Sequence, residues 1–155
     1  MKTLVVYDSA YGNTERIARA IGSAIAGDVH VSHVGGLDDS SLERVDLLII
    51  GSPTQGGKPT KAIQDFLDNI PESFLTRGCV AAFDTRLSTK WVGIFGYAAG
   101  RIAENLKARG AYLVASPAAF FVKGKEGPLK AGEVERASVW AKETAGSLSA
   151  VSARA

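Results

Sequence analysis

A short run of small and polar residues near the start of the chain has the composition of an anion-binding loop. Ser9, Asn13 and Thr14 carry side-chain hydrogen-bond donors, and Gly12 lets the backbone approach a ligand closely. An apolar stretch over residues 3–7, typical of a buried strand, precedes the run, and aliphatic residues at helical spacing follow it. A strand that turns directly into a helix points several backbone N–H groups at one spot beside the positive end of the helix dipole. The spacing therefore predicts a phosphate site.

Other kinds of phosphate loop are excluded by residue type. A Walker-type loop needs a Lys followed by Ser or Thr, whereas Thr14 is followed by Glu15. A dinucleotide-binding turn needs three glycines and a phosphatase loop needs a nucleophilic cysteine, but this stretch has one glycine and the only cysteine is Cys79. What remains is a loop with neutral donors. Such a loop suits a permanently bound monophosphate better than a transferred one, because transfer needs a cation or metal ion.

The region around this loop resembles the signature of the flavodoxins and related FMN-binding proteins. In that signature, two aliphatic residues and an aromatic precede a Ser or Thr, and a small residue, a Thr, an Ala and an aliphatic residue follow at fixed spacing. The positions that match are Val5, Val6, Tyr7, Ser9, Gly12, Thr14, Ala18 and Ile21. The resemblance implies that FMN is the cofactor and that its phosphate is held by Ser9, Ala10, Tyr11, Gly12, Asn13 and Thr14. The alternative is a capped helix start in some other α/β protein.

Apolar runs of strand length alternate with stretches of helical periodicity along the whole chain. Strands are predicted at residues 4–7, 29–34, 47–50, 80–83 and 112–121. Helices are predicted at residues 13–26, 60–69, 93–109 and 131–148, with a short one at 40–44. This alternation predicts an α/β fold, a single doubly wound domain whose five-stranded parallel sheet has the order 2-1-3-4-5 and helices on both faces, flavodoxin-like. Pro117 predicts a kink in the last strand, and the chain resembles the short type of flavodoxin.

In a doubly wound sheet, ligands bind beyond the carboxyl ends of the strands, so two further loops are candidate parts of the site. By resemblance, the loop after the third strand contacts the N5 edge of the flavin with Pro53, Thr54, Gln55, Gly56 and Gly57. The alternative is that the two glycines only form a turn. Also by resemblance, the loop after the fourth strand holds the pyrimidine edge through backbone groups of Asp84, Thr85, Arg86 and Leu87.

These two loops depart from the family pattern in their side chains. Flavodoxins usually place aromatic residues against the flavin ring, but residues 52–59 and 84–90 contain none. Tyr11 and Trp91 are the nearest aromatic residues, and Trp91 is predicted either to cover the ring or to pack against the protein. The loops also carry cations such as Lys58 and Arg86, so we expect net positive charge near the cofactor, where typical flavodoxins have carboxylates.

The composition is that of an ordinary globular protein, with 46% hydrophobic and 22% charged residues among 155. This length predicts one FMN-binding domain over residues 1–148 and a flexible tail over residues 149–155. No apolar run approaches the ~20 residues of a membrane span, and no signal peptide is recognisable, so we expect no membrane partner. A single cysteine excludes an intrachain disulfide and favours a cytoplasmic location.

Charge and residue type exclude further classes. The net charge of +2 is mild and the basic residues form no stripe with aromatics, so we expect no nucleic-acid partner. His30 and His33 lie on an alternating strand pattern, and we predict surface positions for them and no metal site. A phosphoacceptor receiver domain shares the sheet order but needs an acidic residue where Gly51 and Ser52 stand.

Two functions remain open. The first is a low-potential electron carrier on FMN, with an NAD(P)H-dependent reductase as donor and an unknown acceptor. No catalytic residue is predicted for it, because the three loops hold no acid–base group except Asp84. The alternative is an FMN-dependent NAD(P)H:quinone-type oxidoreductase, which the positive charge and an open flavin face would favour. The oligomeric state is not determined by these patterns.

Overall fold

Strands and helices alternate along the chain in the structure, a computed structural model that describes residues 1–88 and 97–154, with only the backbone for 151–154. The strands are β1 (Lys2–Tyr7), β2 (Asp28–His33), β3 (Leu47–Pro53), β4 (Cys79–Leu87), β5 (Tyr112–Leu113) and β6 (Ala118–Val122). The helices are α1 (Asn13–Ala24), α2 (Lys61–Asp68), α3 (Glu72–Leu75), α4 (Ala98–Ala108) and α5 (Glu133–Arg154), with a 3-10 helix at Val34–Gly36. No helix in the described ranges is long and apolar enough to cross a membrane.

The strands form one parallel sheet in the order β2-β1-β3-β4-β5, and β6 also pairs with β4. Thr3 of β1 lies beside Leu47 of β3, which lies beside Cys79 of β4, so these three strands run in register. The predicted α/β fold and its strand order are therefore confirmed. Because parallel strands point the same way, the loops that follow β1, β3 and β4 leave the sheet at one edge.

The last position of the sheet is divided between two short strands. β5 pairs with the start of β4 at Cys79 and Val80, whereas β6 pairs with its end, from Phe83 to Leu87. The single kinked strand predicted over residues 112–121 is therefore wrong in detail. Pro117 lies in the gap between β5 and β6, where the missing N–H of proline costs no ladder hydrogen bond.

Local hydrogen bonding also overturns the short helix predicted at residues 40–44. This segment forms consecutive turns, and Arg44 closes them with a positive φ of 59°. Asp38 Oδ1 accepts hydrogen bonds from the backbone N–H and hydroxyl of Ser40, so a side chain takes the place of helical backbone partners. At the other end of the chain, α5 continues beyond the predicted end at residue 148 to Arg154.

Successive side chains of each strand point to opposite faces of the sheet, and each face carries a hydrophobic core. On one face, strand residues such as Leu48 pack with α2, α3 and α4. On the other face, strand residues such as Ile49 pack with α1 and α5. Gly51 near the end of β3 leaves no room for a side chain, because a Cβ there would lie 2.0 Å from Cζ of Phe83. The two cores therefore fix α1 and α4 against the sheet.

Two side chains of α5 satisfy the outer edge of β6. Glu133 Oε2 accepts a hydrogen bond of 2.7 Å from the backbone N–H of Phe121. Arg136 forms an ion pair with the same carboxylate at 2.7 Å and donates to the carbonyl of Ala119. The hydrogen bond from Arg136 lowers the pKa of Glu133 below its ordinary value. Two of the edge groups that a neighbouring strand would otherwise use are thus paired.

Glu133→Gln is expected to lower the free energy of unfolding at neutral pH and to make it less dependent on acid pH than in the unmodified chain. Because the folded pKa of Glu133 lies below its unfolded value, the carboxylate stabilises the fold above the unfolded pKa, and this contribution is lost as the pH falls through the folded pKa. Denaturant titration should give a loss of about 1 kcal/mol at neutral pH that vanishes in acid. Glu135→Gln, in the same helical turn, is the control; an equal loss at both positions would contradict a specific role for Glu133.

Candidate functional site

The three segments predicted as loops meet at one cavity of about 110 Å³ at the carboxyl edge of the sheet. The loop predicted at residues 84–87 is wrong, because these residues pair with β6 and form the end of β4. The turn between β6 and α5 also contributes to it. The residues that line the cavity are Ser9, Ala10, Tyr11, Asn13, Thr14, Pro53, Thr54, Thr85, Arg86, Leu87, Val122 and Lys125. Of the sixteen residues predicted for the site, ten are therefore brought together here. Gly12, Gln55, Gly56, Gly57 and Asp84 lie outside the lining, and Trp91 lies outside the described residues.

The loop between β1 and α1 presents an uncapped helix start to the cavity. Gly12 is the N-cap of α1 with a φ of 90°, and no side chain caps the helix there. Ser9 Oγ accepts the N–H of Gly12 at 3.0 Å, which closes the loop on itself. The N–H groups of the first helical turn have no acceptor within a helix, and here they point beyond the N-terminus with the positive end of the dipole. This geometry suits a phosphate group.

Asp8 and His33 hold the start of this loop. Asp8 Oδ1 accepts from the N–H of Ser9 at 2.9 Å and lies 3.0 Å from Nε2 of His33. The N–H of Gly35 donates to Nδ1 of His33, so Nε2 carries the ring hydrogen and donates it to Asp8. The side chain of His33 is half-exposed, as expected for a surface residue. Its hydrogen bond to Asp8 also orders the start of the loop.

Three threonines connect the loops to each other. The hydroxyls of Thr14 and Thr85 lie 2.8 Å apart, and these residues are only 1% and 5% exposed. The N–H of Thr54 donates to the carbonyl of Thr85 at 3.0 Å, and its hydroxyl accepts from the N–H of Ala98 at the start of α4. The phosphate loop, the loop after β3, the end of β4 and α4 are thus hydrogen-bonded into one unit.

The loop after β3 ends in a tight hairpin beside the cavity. The backbones of Gln55 and Lys58 exchange hydrogen bonds of 2.9 and 3.0 Å. Between them, Gly56 and Gly57 have φ values of 57° and 76°, which fit a type I′ turn and which other residues rarely adopt. Pro53 and Thr54 therefore reach the cavity lining, while the hairpin with its two glycines projects past it.

Asp84 and Arg86 form a buried pair that removes one expected charge from the site. Arg86 donates Nε and Nη2 to the two oxygens of Asp84 at 2.8 and 2.9 Å, and the guanidinium lies 3.4 Å from the ring centre of Tyr97. Asp84 is fully buried and also accepts from the N–H of Ala99 in α4. Burial raises the pKa of Asp84 despite these donors. Arg86 therefore adds no unpaired positive charge to the site.

Sequence reasoning missed two cavity residues, Val122 and Lys125, which follow the strand predicted at residues 112–121. Asn13 Nδ2 donates to the carbonyl of Glu126 at 3.2 Å, which attaches this turn to the phosphate loop. One signal could have identified Lys125. It follows the last strand, so it lies at the same edge of the sheet as the three predicted loops.

Apolar surface lies beside the polar end of the cavity. Among the described residues, Tyr11 and Leu87 are exposed large hydrophobic side chains, at 52% and 41%, and both line the cavity. The site thus has donors for an anion at one end and exposed apolar groups next to it. These two features fit a ligand with one phosphate and a flat aromatic ring.

Comparison with known proteins gives the same picture. The family model described as flavodoxin matches residues 5–140. A flavodoxin from the domain Archaea superposes with a TM-score of 0.79 at 23% identity, over 96% of this chain and 99% of that one. Flavodoxin 2 of Bacillus cereus superposes with a TM-score of 0.76 at 28% identity, over 94% of this chain and 99% of that one.

One curated relative is much longer than this chain. This relative carries the name diflavin flavoprotein A 4 and comes from Nostoc sp. Its sequence is 34% identical to this chain over 103 residues. The match covers 62% of this chain and 16% of the Nostoc protein.

Thr14→Val is expected to weaken binding of FMN by roughly 10-fold or more, because a hydrogen bond to a charged group contributes ~1.5–3 kcal/mol. The Thr14 hydroxyl forms one hydrogen bond with Thr85 and can form another with a ligand. Thr14→Ser, which retains the hydroxyl, is the control. Titrations followed by flavin fluorescence should show unchanged affinity for riboflavin in both variants. Equal weakening of both flavins would mean that Thr14 does not contact the phosphate.

Proposed function

This chain belongs to the flavodoxin family, and on that premise we propose that it is a non-catalytic carrier that moves single electrons at low potential on one bound FMN. FMN is the cofactor of this family, and the cavity fits it in both its polar and its apolar parts. The observation that carries the proposal is the convergence of the three loops on an uncapped helix N-terminus. When bound, FMN supplies the capacity to accept and release electrons.

In this proposal, different residues bind different parts of the cofactor. Residues 9–14 bind the phosphate through hydroxyl, amide and backbone N–H donors. The exposed side chains of Tyr11 and Leu87 contact the ring, and the backbone of residues 84–87 contacts its pyrimidine edge. Pro53 to Gly57 approach the N5 edge, where the glycine hairpin allows a change of peptide orientation. Trp91 is a further candidate for covering the ring.

The side chains around the cavity favour a carrier over a reductase. Among the described residues that line it, none is a histidine or a carboxylic acid, the side chains that most often transfer protons to or from a substrate. Asp84, the one acidic candidate, is buried and paired with Arg86. Its role is to hold the start of α4 against the end of β4.

The partners follow from a carrier function. We propose that an NAD(P)H-dependent reductase donates the electrons and that a second redox protein accepts them. Contact with both would occur at the exposed mouth of the cavity around Tyr11 and Leu87. We further propose a cytoplasmic location, which the single cysteine supports.

The purified chain is expected to bind one FMN and to show no steady-state turnover with NADPH and a quinone unless a flavodoxin reductase is added. The alternative, an FMN-dependent NAD(P)H:quinone-type oxidoreductase, predicts turnover by the chain alone. Turnover by Thr14→Val at limiting FMN is the control, because this variant should contain less bound FMN. Turnover without a reductase that follows FMN occupancy would replace the carrier proposal with the reductase.

Lys58→Glu is expected to lower the midpoint potential for the second electron taken up by bound FMN by tens of millivolts. Lys58 is exposed on the glycine hairpin, where its charge would stabilise the negative charge gained on reduction. Solvent screening keeps the effect well below its Coulomb limit, and a one-electron couple moves ~59 mV per tenfold change. Lys107→Glu, at the far end of α4, is the control for net charge. Equal potentials in both variants would place Lys58 away from the flavin ring.

A further inference from the structure

The turn between β6 and α5 forms the fourth wall of the cavity. Its ends are held together by the hydrogen bond from the N–H of Lys123 to the carbonyl of Pro128 at 2.9 Å. A second bond of 2.9 Å, from the N–H of Gly127 to the carbonyl of Gly124, closes the turn around Lys125. The backbone that carries Lys125 is therefore fixed relative to the sheet.

The same turn packs directly against the phosphate loop. Asn13 Nδ2 donates to the carbonyl of Glu126, the neighbour of Lys125. Gly127 has a φ of 100°, and a Cβ at that position would lie 2.6 Å from the amide group of Asn13. This close contact places Lys125 beside the residues at the start of α1, and its side chain lines the cavity together with Asn13 and Thr14.

The charge of Lys125 is not used elsewhere in the described structure. The ion pairs found among the described residues do not include Lys125. The other cation that lines the cavity, Arg86, is neutralised by Asp84. Glu126 is exposed but does not line the cavity, and it meets the phosphate loop through its carbonyl. Lys125 is thus the one unpaired cation among the described lining residues.

A phosphate dianion at this loop would be compensated only in part by the loop itself. The N-terminus of α1 contributes the equivalent of about half a positive charge. The hydroxyl and amide donors of the loop are neutral. A lysine ammonium beside the anion would supply the remaining compensation as a point charge. We propose that Lys125 is a direct ligand of the cofactor phosphate, which adds a cation to a site whose own loop contains none. This inference rests on the proposed binding of FMN.

The test compares Lys125→Gln with Lys123→Gln, which makes the same charge change in the same turn outside the cavity lining. Affinities for FMN and riboflavin are measured by flavin fluorescence at low salt and at high salt. Lys125→Gln should weaken FMN binding about 2- to 5-fold at low salt, the range of a partly exposed ion pair. The difference should shrink at high salt, and riboflavin affinity should not change. Lys125→Arg should retain FMN affinity.

The phosphorus resonance of bound FMN gives a second measurement that a purely structural role would not change. Lys125→Gln should shift this resonance relative to the unmodified chain, and Lys123→Gln should not. The proposal is overturned if Lys125→Gln leaves FMN affinity unchanged, or if it weakens FMN and riboflavin equally. If the unmodified chain fails to bind FMN, both the proposed function and the inference about Lys125 are overturned. If FMN binds and depends on Thr14 but not on Lys125, only this inference falls.

Discussion

The parallel pairing of β1, β3 and β4 is the constraint on which the whole site depends. Since the three strands point the same way and lie in register, their loops must leave the sheet at the same edge. The apolar residues that force this pairing are buried on both faces of the sheet. The cores thus determine where the polar loops meet, although no core side chain needs to touch a ligand. Hydrogen bonds through Thr14, Thr85 and Thr54 then fix the loops relative to one another.

At the carboxyl edge of the sheet, one charged pair stabilises the structure, whereas the start of α1 remains available to bind an anion. Asp84 and Arg86 lie at the carboxyl end of β4, but their charges cancel in a buried pair that anchors α4. A buried pair of this kind costs desolvation, which is why the pKa of Asp84 rises despite its donors. The helix dipole of α1 and the neutral hydroxyls remain available to an anion. A strongly charged pair at the edge therefore adds rigidity rather than net charge.

Much of the fold and part of the site could be predicted from the sequence, for identifiable physical reasons. Alternating apolar runs and helical periodicity report burial directly, so the strand order followed from topology rules. The signature around Ser9 and Thr14 is local, and the structure places both residues in the cavity lining. Local competition explains one error, since the Asp38 carboxylate replaces helical hydrogen bonds in residues 40–44.

Other features depend on contacts between segments distant in sequence. The guanidinium of Arg86 stacks on Tyr97 while it pairs with Asp84, and the position of Tyr97 depends on where α4 begins. Likewise, the contact of Glu126 with Asn13 joins residues that are 113 positions apart. The division of the last strand depends on how β4 is shared between two partners around Pro117. None of these contacts leaves a periodic pattern in the sequence, so topology can indicate only the edge at which they form.

The pairing of Glu133 and Arg136 with the outer edge of β6 also bears on self-association. A sheet edge with free N–H and C=O groups is a template on which a second molecule can add a strand. Here the N–H of Phe121 and the carbonyl of Ala119 are both occupied by side chains of α5. An incoming strand would have to displace the ion pair of Glu133 and Arg136 to bond with these two groups. The end of the sheet that lies beside the cavity is thereby protected against aggregation by residues that take no part in binding.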